Sequence, residues 1–341
     1  MYRARAAIMR RAGATAAGGA QGVMSEAAMS EATAPPPEPF FAGRRALQRQ
    51  FNRAAQTFAN GDALHREVAA RMRERLGYIK LAPARALDLG CATGATAGLH
   101  ALYPKAHITG VDFAFQMTRR AAQPVPWLAR LRGARRSAVS AVCADMAALP
   151  LAHASMGLVW SNLALHWLDD PEPALREVQR VLEQGGLFMF STLGPDTLCE
   201  LREAWSTADG AGDTPAPAPA PAPARWRVKR FIDLHDIGDL LVKTGFATPV
   251  MDMEKIVLTY DSVDRLAADL RATGSGNAMH ARLRGLTGRR AKQRMVDAYE
   301  TRRNAGRLPA TFEVVYGHAW KAPLRKTAGG DAVMQFVPRR A

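Results

Sequence analysis

The chain has 341 residues, 48% of them hydrophobic and 23% charged, which is ordinary for a globular protein and enough to bury a sizeable core. No apolar run approaches the roughly 20 residues that span a bilayer, so a membrane-spanning helix is excluded and no stable membrane association is expected. A total of 46 Lys and Arg against 31 Asp and Glu leaves a formal charge of +15, which suits an acidic protein, a nucleic acid or an anionic surface as partner, or simply an arginine-rich proteome, and says nothing about fold.

Residues 1–39 read as a tail. Arg3, Arg5, Arg10 and Arg11 precede any acid, Ala, Gly and Ser follow, and the stretch closes on Pro35, Pro36 and Pro37. The composition is that of a transit peptide, yet the apolar face is poorly formed, and Met24 and Met29 offer later starts. A mis-started or disordered tail is the expectation. Residues 40–82 are predicted as an N-terminal helical lid. Leu47, Phe51, Ala54 and Phe58, then Leu64, Val68, Met72 and Leu76, recur at three- and four-residue steps, with Gly61 between the two helices.

Residues 83–207 alternate strand and helix, as a parallel sheet with helices on both faces requires. The first strand ends at Leu89 and the second, from His107, ends in Asp112. The third spans 137–143 and runs into Asp145 and Met146, and the fourth spans 156–161 and ends in Asn162. A helix over 172–182 is expected to stop at a Gly185-Gly186 cap, with a fifth strand over 187–192. Each strand finishes in a polar or glycine residue at its carboxyl end, where such sheets bind ligands. Residues 208–225 carry an alternating Pro-Ala repeat and read as an exposed inserted loop. A folded pattern resumes over 226–322, with a helix capped by Asp236, a strand over 248–260, helices over 262–272 and 292–303, and a closing strand over 311–320. Residues 323–341 read as a second tail. Cys91, Cys143 and Cys199 are far apart without Cys-x-x-Cys spacing, which argues against zinc and disulfides and for a reducing, cytoplasmic setting. No metal site is expected.

The turn after the first strand, Gly90-Cys91-Ala92-Thr93-Gly94, lacks two of the three glycines of a dinucleotide fingerprint and has no Walker lysine. A nucleoside ligand without phosphates fits better. Asp112 is placed to accept from both ribose hydroxyls and Asp145 from an exocyclic adenine amine. Asp88 and the backbone around Gly90 are left for a zwitterionic amino-acid end, and Asn162 closes the other side.

These segments, 87–94, Val111-Asp112, Ala144-Asp145-Met146 and Ser161-Asn162, resemble the successive motifs of class I S-adenosylmethionine-dependent methyltransferases, with Ala92 where glycine is usual. The resemblance implies a Rossmann-like α/β fold with a seven-stranded, mostly parallel sheet. It implies S-adenosyl-L-methionine as cofactor, held by Asp88, Gly90, Ala92, Gly94, Asp112, Asp145, Met146 and Asn162. Further stretches at 51–58, 161–167, 190–198, 231–239 and 316–320 resemble the malonyl-acyl-carrier-protein O-methyltransferases of biotin synthesis. Mitochondrial complex I assembly factors, reported as arginine hydroxylases, share several of them, and a non-catalytic assembly factor on the same scaffold is the other alternative.

The first resemblance implies methylation of the free carboxylate of a malonyl thioester on an acidic acyl carrier protein. That carboxylate is ionised at neutral pH, so no general base is required and no catalytic dyad is expected; alignment would supply the catalysis. Arg202, His235 and Tyr316 are the candidates for holding it, and His166 and Trp167 for pocket wall. The densest basic run, Arg282, Arg284, Arg289, Arg290, Lys292, Arg294, Arg302, Arg303 and Arg307, or alternatively Arg44 to Arg53, is expected to dock the carrier. The run has little aromatic interleaving for base stacking, so nucleic acid is not expected.

Overall fold

Strand β1 (Arg85–Leu89) is buried from its second residue onward, and the sheet grows outward from it on both sides. The computed structural model describes residues 41, 43–94, 96–122, 139–210, 227–229, 231–280, 282 and 285–322. Both predicted tails, the Pro-Ala repeat and Arg284 lie outside them. Two helices come first, α1 (Arg44–Ala54) and α2 (Ala63–Gly77), linked through a 3-10 turn at Phe58–Asn60. After β1 follow α3 (Thr96–Leu102), β2 (His107–Asp112), α4 (Phe115–Ala121), β3 (Val139–Cys143), β4 (Met156–Asn162) and α5 (Glu172–Val181). The second half comprises β5 (Leu182–Leu193), α6 (Cys199–Gly210), α7 (Leu234–Lys243), β6 (Phe246–Tyr260), α8 (Val263–Ala272), α9 (Arg289–Glu300) and β7 (Leu308–Lys321).

The seven strands lie in the order β3-β2-β1-β4-β5-β7-β6. Neighbours from β3 through β5 are parallel, and β7 runs antiparallel to both β5 and β6. This is the expected mostly parallel, Rossmann-like sheet. From β1 the chain builds outward through β2 and β3, then returns to the other side for β4 and β5. The carboxyl ends of β1 and β4 therefore flank a switch point, where a crevice opens.

Strand alternation shows that helices cover both faces. Ala86, Leu158, Trp160, Leu187 and Met189 pack with Leu64, Val68 and Met72 of α2, Ala204 and Ala208 of α6, and Met295 and Tyr299 of α9. Their neighbours Leu87, Leu89, Val159, Phe188 and Phe190 pack with Leu175 and Val178 of α5 and Ile237 and Leu241 of α7. A third cluster joins Leu47, Phe51 and Ala54 of α1 to Phe58 and to Met117 of α4.

Three boundaries differ from the sequence expectation. Gly185 and Gly186 do not cap a helix: α5 already ends at Val181, and β5 begins at Leu182 because Leu182 pairs with Met156 across a bulge. The cap of α7 is Asp233, not Asp236, its side chain accepting from the His235 N–H. Helix α6 carries the chain to Gly210 with Ala208 fully buried, so the inserted loop begins later than residue 208.

Where β7 crosses β5, a Cβ on Gly317 would stand 2.4 Å from the Phe190 ring and 2.8 Å from Met251 Sδ. Phe190 is fully buried and has no room to retreat. Gly317→Ala should cost about 1–3 kcal/mol as an overpacked core position, read as a lowered denaturation midpoint; an unchanged midpoint would mean that the strand crossing yields more easily than its packing indicates.

Candidate active site

The turn after β1 is fixed by backbone bonds to the neighbouring strand. The Gly90 and Cys91 N–H groups donate to the Val111 carbonyl at 2.7 and 3.0 Å. Gly90 has φ +79°, and a Cβ there would lie 2.3 Å from that of Ala164, so only glycine fits. Ala92 also adopts the left-handed region, at φ 46°, which disfavours an L side chain. Its N–H donates to Asp112 Oδ2 at 3.1 Å, while the Ala114 N–H donates to Asp112 Oδ1 at 2.8 Å. One carboxylate thus ties the glycine turn to the start of α4.

Above the turn lies a cavity of about 990 Å³, lined among others by Gly90, Ala92, Gly94, Asp112, Met146 and Asn162. Asn162 is fixed on both sides of its amide, donating to the His65 carbonyl at 3.0 Å and accepting from Ser191 Oγ at 2.9 Å. Asp88 and Asp145 are not on this wall. Asp145 forms an ion pair with Arg44 of α1 and accepts from the Ala147 N–H at 2.8 Å. Asp88 is fully buried in β1, and among the described residues neither of its oxygens has a hydrogen-bond partner. Burial, and then the charge of Asp112, push its carboxyl up to about 7; burial raises Asp112 to about 6 against the pull of its two N–H donors.

A second cavity of about 340 Å³ adjoins the first, and His65, Leu163, Trp167, Thr273 and Ser275 line both. His166 and Trp167 are wall residues here. Burial holds His65 at about 4 and lowers His166 well below the usual imidazole range, so both rings are neutral at pH 7. Among the described residues, the cations on this wall are Arg227, Lys229 and Arg271.

None of the three expected carboxylate holders lines either cavity. Arg202 donates through Nη2 to the Pro195 and Thr197 carbonyls, both at 2.8 Å, and staples that turn. His235 is exposed, its Nδ1 2.8 Å from Asp233 Oδ1 at the start of α7. Tyr316 is buried in β7 under Arg75, whose guanidinium lies 4.0 Å from the ring centre. Sequence reasoning missed Lys229 because it stands just ahead of the 231–239 motif and carries no signal of its own.

The basic run is committed in part, with four of its nine residues ion-paired among the described residues and Arg289 and Arg290 exposed. Lys292 pairs with Asp264, Arg302 with Glu203, Arg303 with Glu300 and Arg307 with Asp261. On α1, by contrast, Arg45, Arg49 and Arg53 are exposed at four-residue steps, and no carboxylate among the described residues pairs with them. Phe51, on the opposite face, lines the larger cavity.

Residues 87–190 match the family model of a methyltransferase domain. Together with the sheet order and the glycine turn at its switch point, this defines the molecule as a class I methyltransferase. The malonyl-acyl-carrier-protein O-methyltransferase of Laribacter hongkongensis is 48% identical over 305 residues, spanning 88% of this chain and 98% of that protein. The proteins of the same name from Nitrosospira multiformis and Gallionella capsiferriformans are 48% and 44% identical, over 84% and 87% of this chain and 91% and 97% of theirs. The chain belongs to the malonyl-acyl-carrier-protein O-methyltransferase family, not to the arginine hydroxylases that share some of its segments.

Two outcomes follow from the turn. Ala92→Gly should leave cofactor affinity unchanged or slightly tighter, because it relieves a left-handed alanine, whereas Gly90→Ala should weaken it at least tenfold with the circular dichroism spectrum retained; calorimetric titration reads both, and a large loss in Ala92→Gly would contradict the geometry. For Asp88, a native pKa near 7 against an unfolded value near 4 means that the native state binds the extra proton. Its contribution is therefore fully present below the unfolded value and lost as pH rises through 7. The stability of the wild type relative to Asp88→Asn should fall between about pH 4 and 7 and level off above, and a flat difference in denaturant midpoint would contradict the burial of a carboxylate that has no hydrogen-bond partner among the described residues.

Proposed function

We propose that this chain transfers a methyl group from S-adenosylmethionine to the free carboxylate of a malonyl thioester carried on acyl carrier protein, at the start of biotin synthesis. The observation that carries this reading is the identity of 44–48% with proteins bearing that name over most of their length. The residues present fit the cofactor. The turn at Gly90, Ala92 and Gly94 exposes backbone where a ligand must approach closely, and the Asp112 carboxylate, at the end of β2 on the cavity wall, suits a ribose. Asp112 on the wall, and beneath the turn Asp88, partly ionised near neutral pH and without a hydrogen-bond partner among the described residues, place negative charge that suits a cationic ligand in this half of the crevice. Met146 and Asn162 complete the wall, with Asp145 beside Met146 at the end of β3.

When bound, S-adenosylmethionine supplies an electrophilic methyl on sulfur, to which a carboxylate oxygen bonds as the sulfur–carbon pair returns to sulfur, with no proton transferred. The chain's own task is therefore alignment and exclusion of water. Trp167, Leu163 and His65 stand where the two cavities meet, and the aromatic edges of Phe51 and Trp167, 4.9 Å between centroids, close the boundary from the α1 side. Neither buried histidine is needed as a base, because the nucleophile is already an anion.

The carrier partner is acidic in this reading, and Arg45, Arg49 and Arg53 on the outer face of α1 suit it better than the partly committed run around α9. Three unpaired cysteines support a reducing, cytoplasmic setting. With labelled cofactor, methyl should appear on malonyl-carrier protein, with malonyl-coenzyme A and free malonate as poorer acceptors; transfer to none of the three, with the cofactor demonstrably bound, would defeat the reading. Reversing the charges of Arg45, Arg49 and Arg53 together should raise KM for the carrier severalfold and flatten its salt dependence, leaving malonyl-coenzyme A kinetics nearly unchanged.

A further inference from the structure

The second cavity has a chemical character that methyl transfer alone does not explain. Most of its wall is apolar, including Leu64, Leu193, Leu198, Phe231 and Phe312, yet among the described residues three cations reach it. Arg227 is committed: Nε and Nη2 engage both oxygens of Asp209 at 3.0 and 2.8 Å, Nη1 reaches Thr287, and the guanidinium lies 4.1 Å from the Trp205 ring centre. Arg271 is exposed in the last turn of α8. Lys229 is partly buried, with Nζ 4.2 Å from the ring centre of Phe41 and 5.7 Å from that of Phe231. It also borders a smaller cavity of about 140 Å³ with His166, Asp169 and Thr192.

We propose that Lys229 holds the free carboxylate of the malonyl group and so makes the site select an acid over its methyl ester; this inference rests on the methyl-transfer reading above. An anion entering an apolar cavity loses its hydration and needs a charged donor in return. Aromatic rings attract an ammonium without neutralising it, and an ammonium has three N–H donors to distribute. A carboxylate held through one oxygen keeps the other for attack. The ester product carries no charge, so the ion pair disappears on transfer and product release is favoured.

The charged surroundings agree. Among the described residues Asp169 is the acid acting on Lys229, the neutral His166 ring lies near it, and His65, Arg227, Arg271, Asp269 and Tyr260 stand on the same cavity wall. Burial lowers the ammonium to about 7, opposed by Asp169, and an arriving carboxylate pulls it back up.

The test uses the full chain with S-adenosylhomocysteine present, so that binding is read without turnover. Affinities for malonyl-carrier protein and for its methyl ester are measured in wild type, Lys229→Met and Lys229→Arg. Wild type should prefer the acid, and Lys229→Met should lose roughly 10- to 100-fold in acid affinity while ester and S-adenosylhomocysteine binding stay put. Lys229→Arg should recover part of the preference. In turnover the loss should appear in KM rather than kcat, and the wild-type rise in KM above about pH 7 should vanish in Lys229→Met. Equal binding of acid and ester by wild type, or a preference that survives in Lys229→Met, overturns the proposal. Absence of methyl transfer by a wild type that still prefers the acid overturns the activity reading and leaves the role of Lys229 standing.

Discussion

The structure depends on one carboxylate that holds two pieces of backbone at once. Asp112, at the end of β2, accepts from the Ala92 N–H on one oxygen and from the Ala114 N–H on the other. The first bond fixes the turn that leaves β1, and the second fixes the chain entering α4, on which α1 and its Phe51 are packed. Remove that carboxylate and the floor of the crevice and the seat of α1 lose their common anchor. Parallel strands supply only the positions, since β1 and β2 are in register from Arg85–His107 to Leu89–Val111. It is the side chain just beyond the register that turns two strand ends into a binding surface.

The buried ionisable groups differ between the two cavities, although Arg66 and Arg73 also line the larger one and Asp269 the smaller. Asp88 and Asp112 are both buried acids with raised pKa values, and they lie on the side of the glycine turn. Lys229, with Arg227 and Arg271, lies on the side of α8 and the segment before α7. Between them stand neutral groups, His65, Leu163 and Trp167. A cationic cofactor and an anionic acceptor would each enter the half of opposite sign, and transfer of the methyl group would discharge both.

The sheet was legible because its signal is repetitive: apolar runs, each ended by a polar or glycine residue, alternating with helical periodicity. Gly90, Ala92, Gly94, Asp112 and Asn162 can be placed for the same reason, being tied to strand ends whose location the pattern fixes, and all five line the larger cavity. Gly185-Gly186 misled because a pair of glycines marks a helix end and a β-bulge equally well, and only the pairing of Leu182 with Met156 separates the two. Arg202, His235 and Tyr316 lie in or beside the substrate-side motifs, but their side chains turn to a carbonyl staple, a helix cap and the underside of an edge hairpin. Lys229 was invisible because its role comes from Phe41 and Phe231, one of them almost two hundred residues away, closing around it.

Ala92 carries a wider lesson about such turns. At φ 46°, with its N–H bonded to Asp112, it makes the same bend that a glycine makes freely. What the position requires is a torsion and an amide that reaches Asp112, not an absent side chain. A neighbouring carboxylate that grips the amide can impose that torsion on alanine, so a fingerprint written in residue letters will overlook turns that are equivalent in shape.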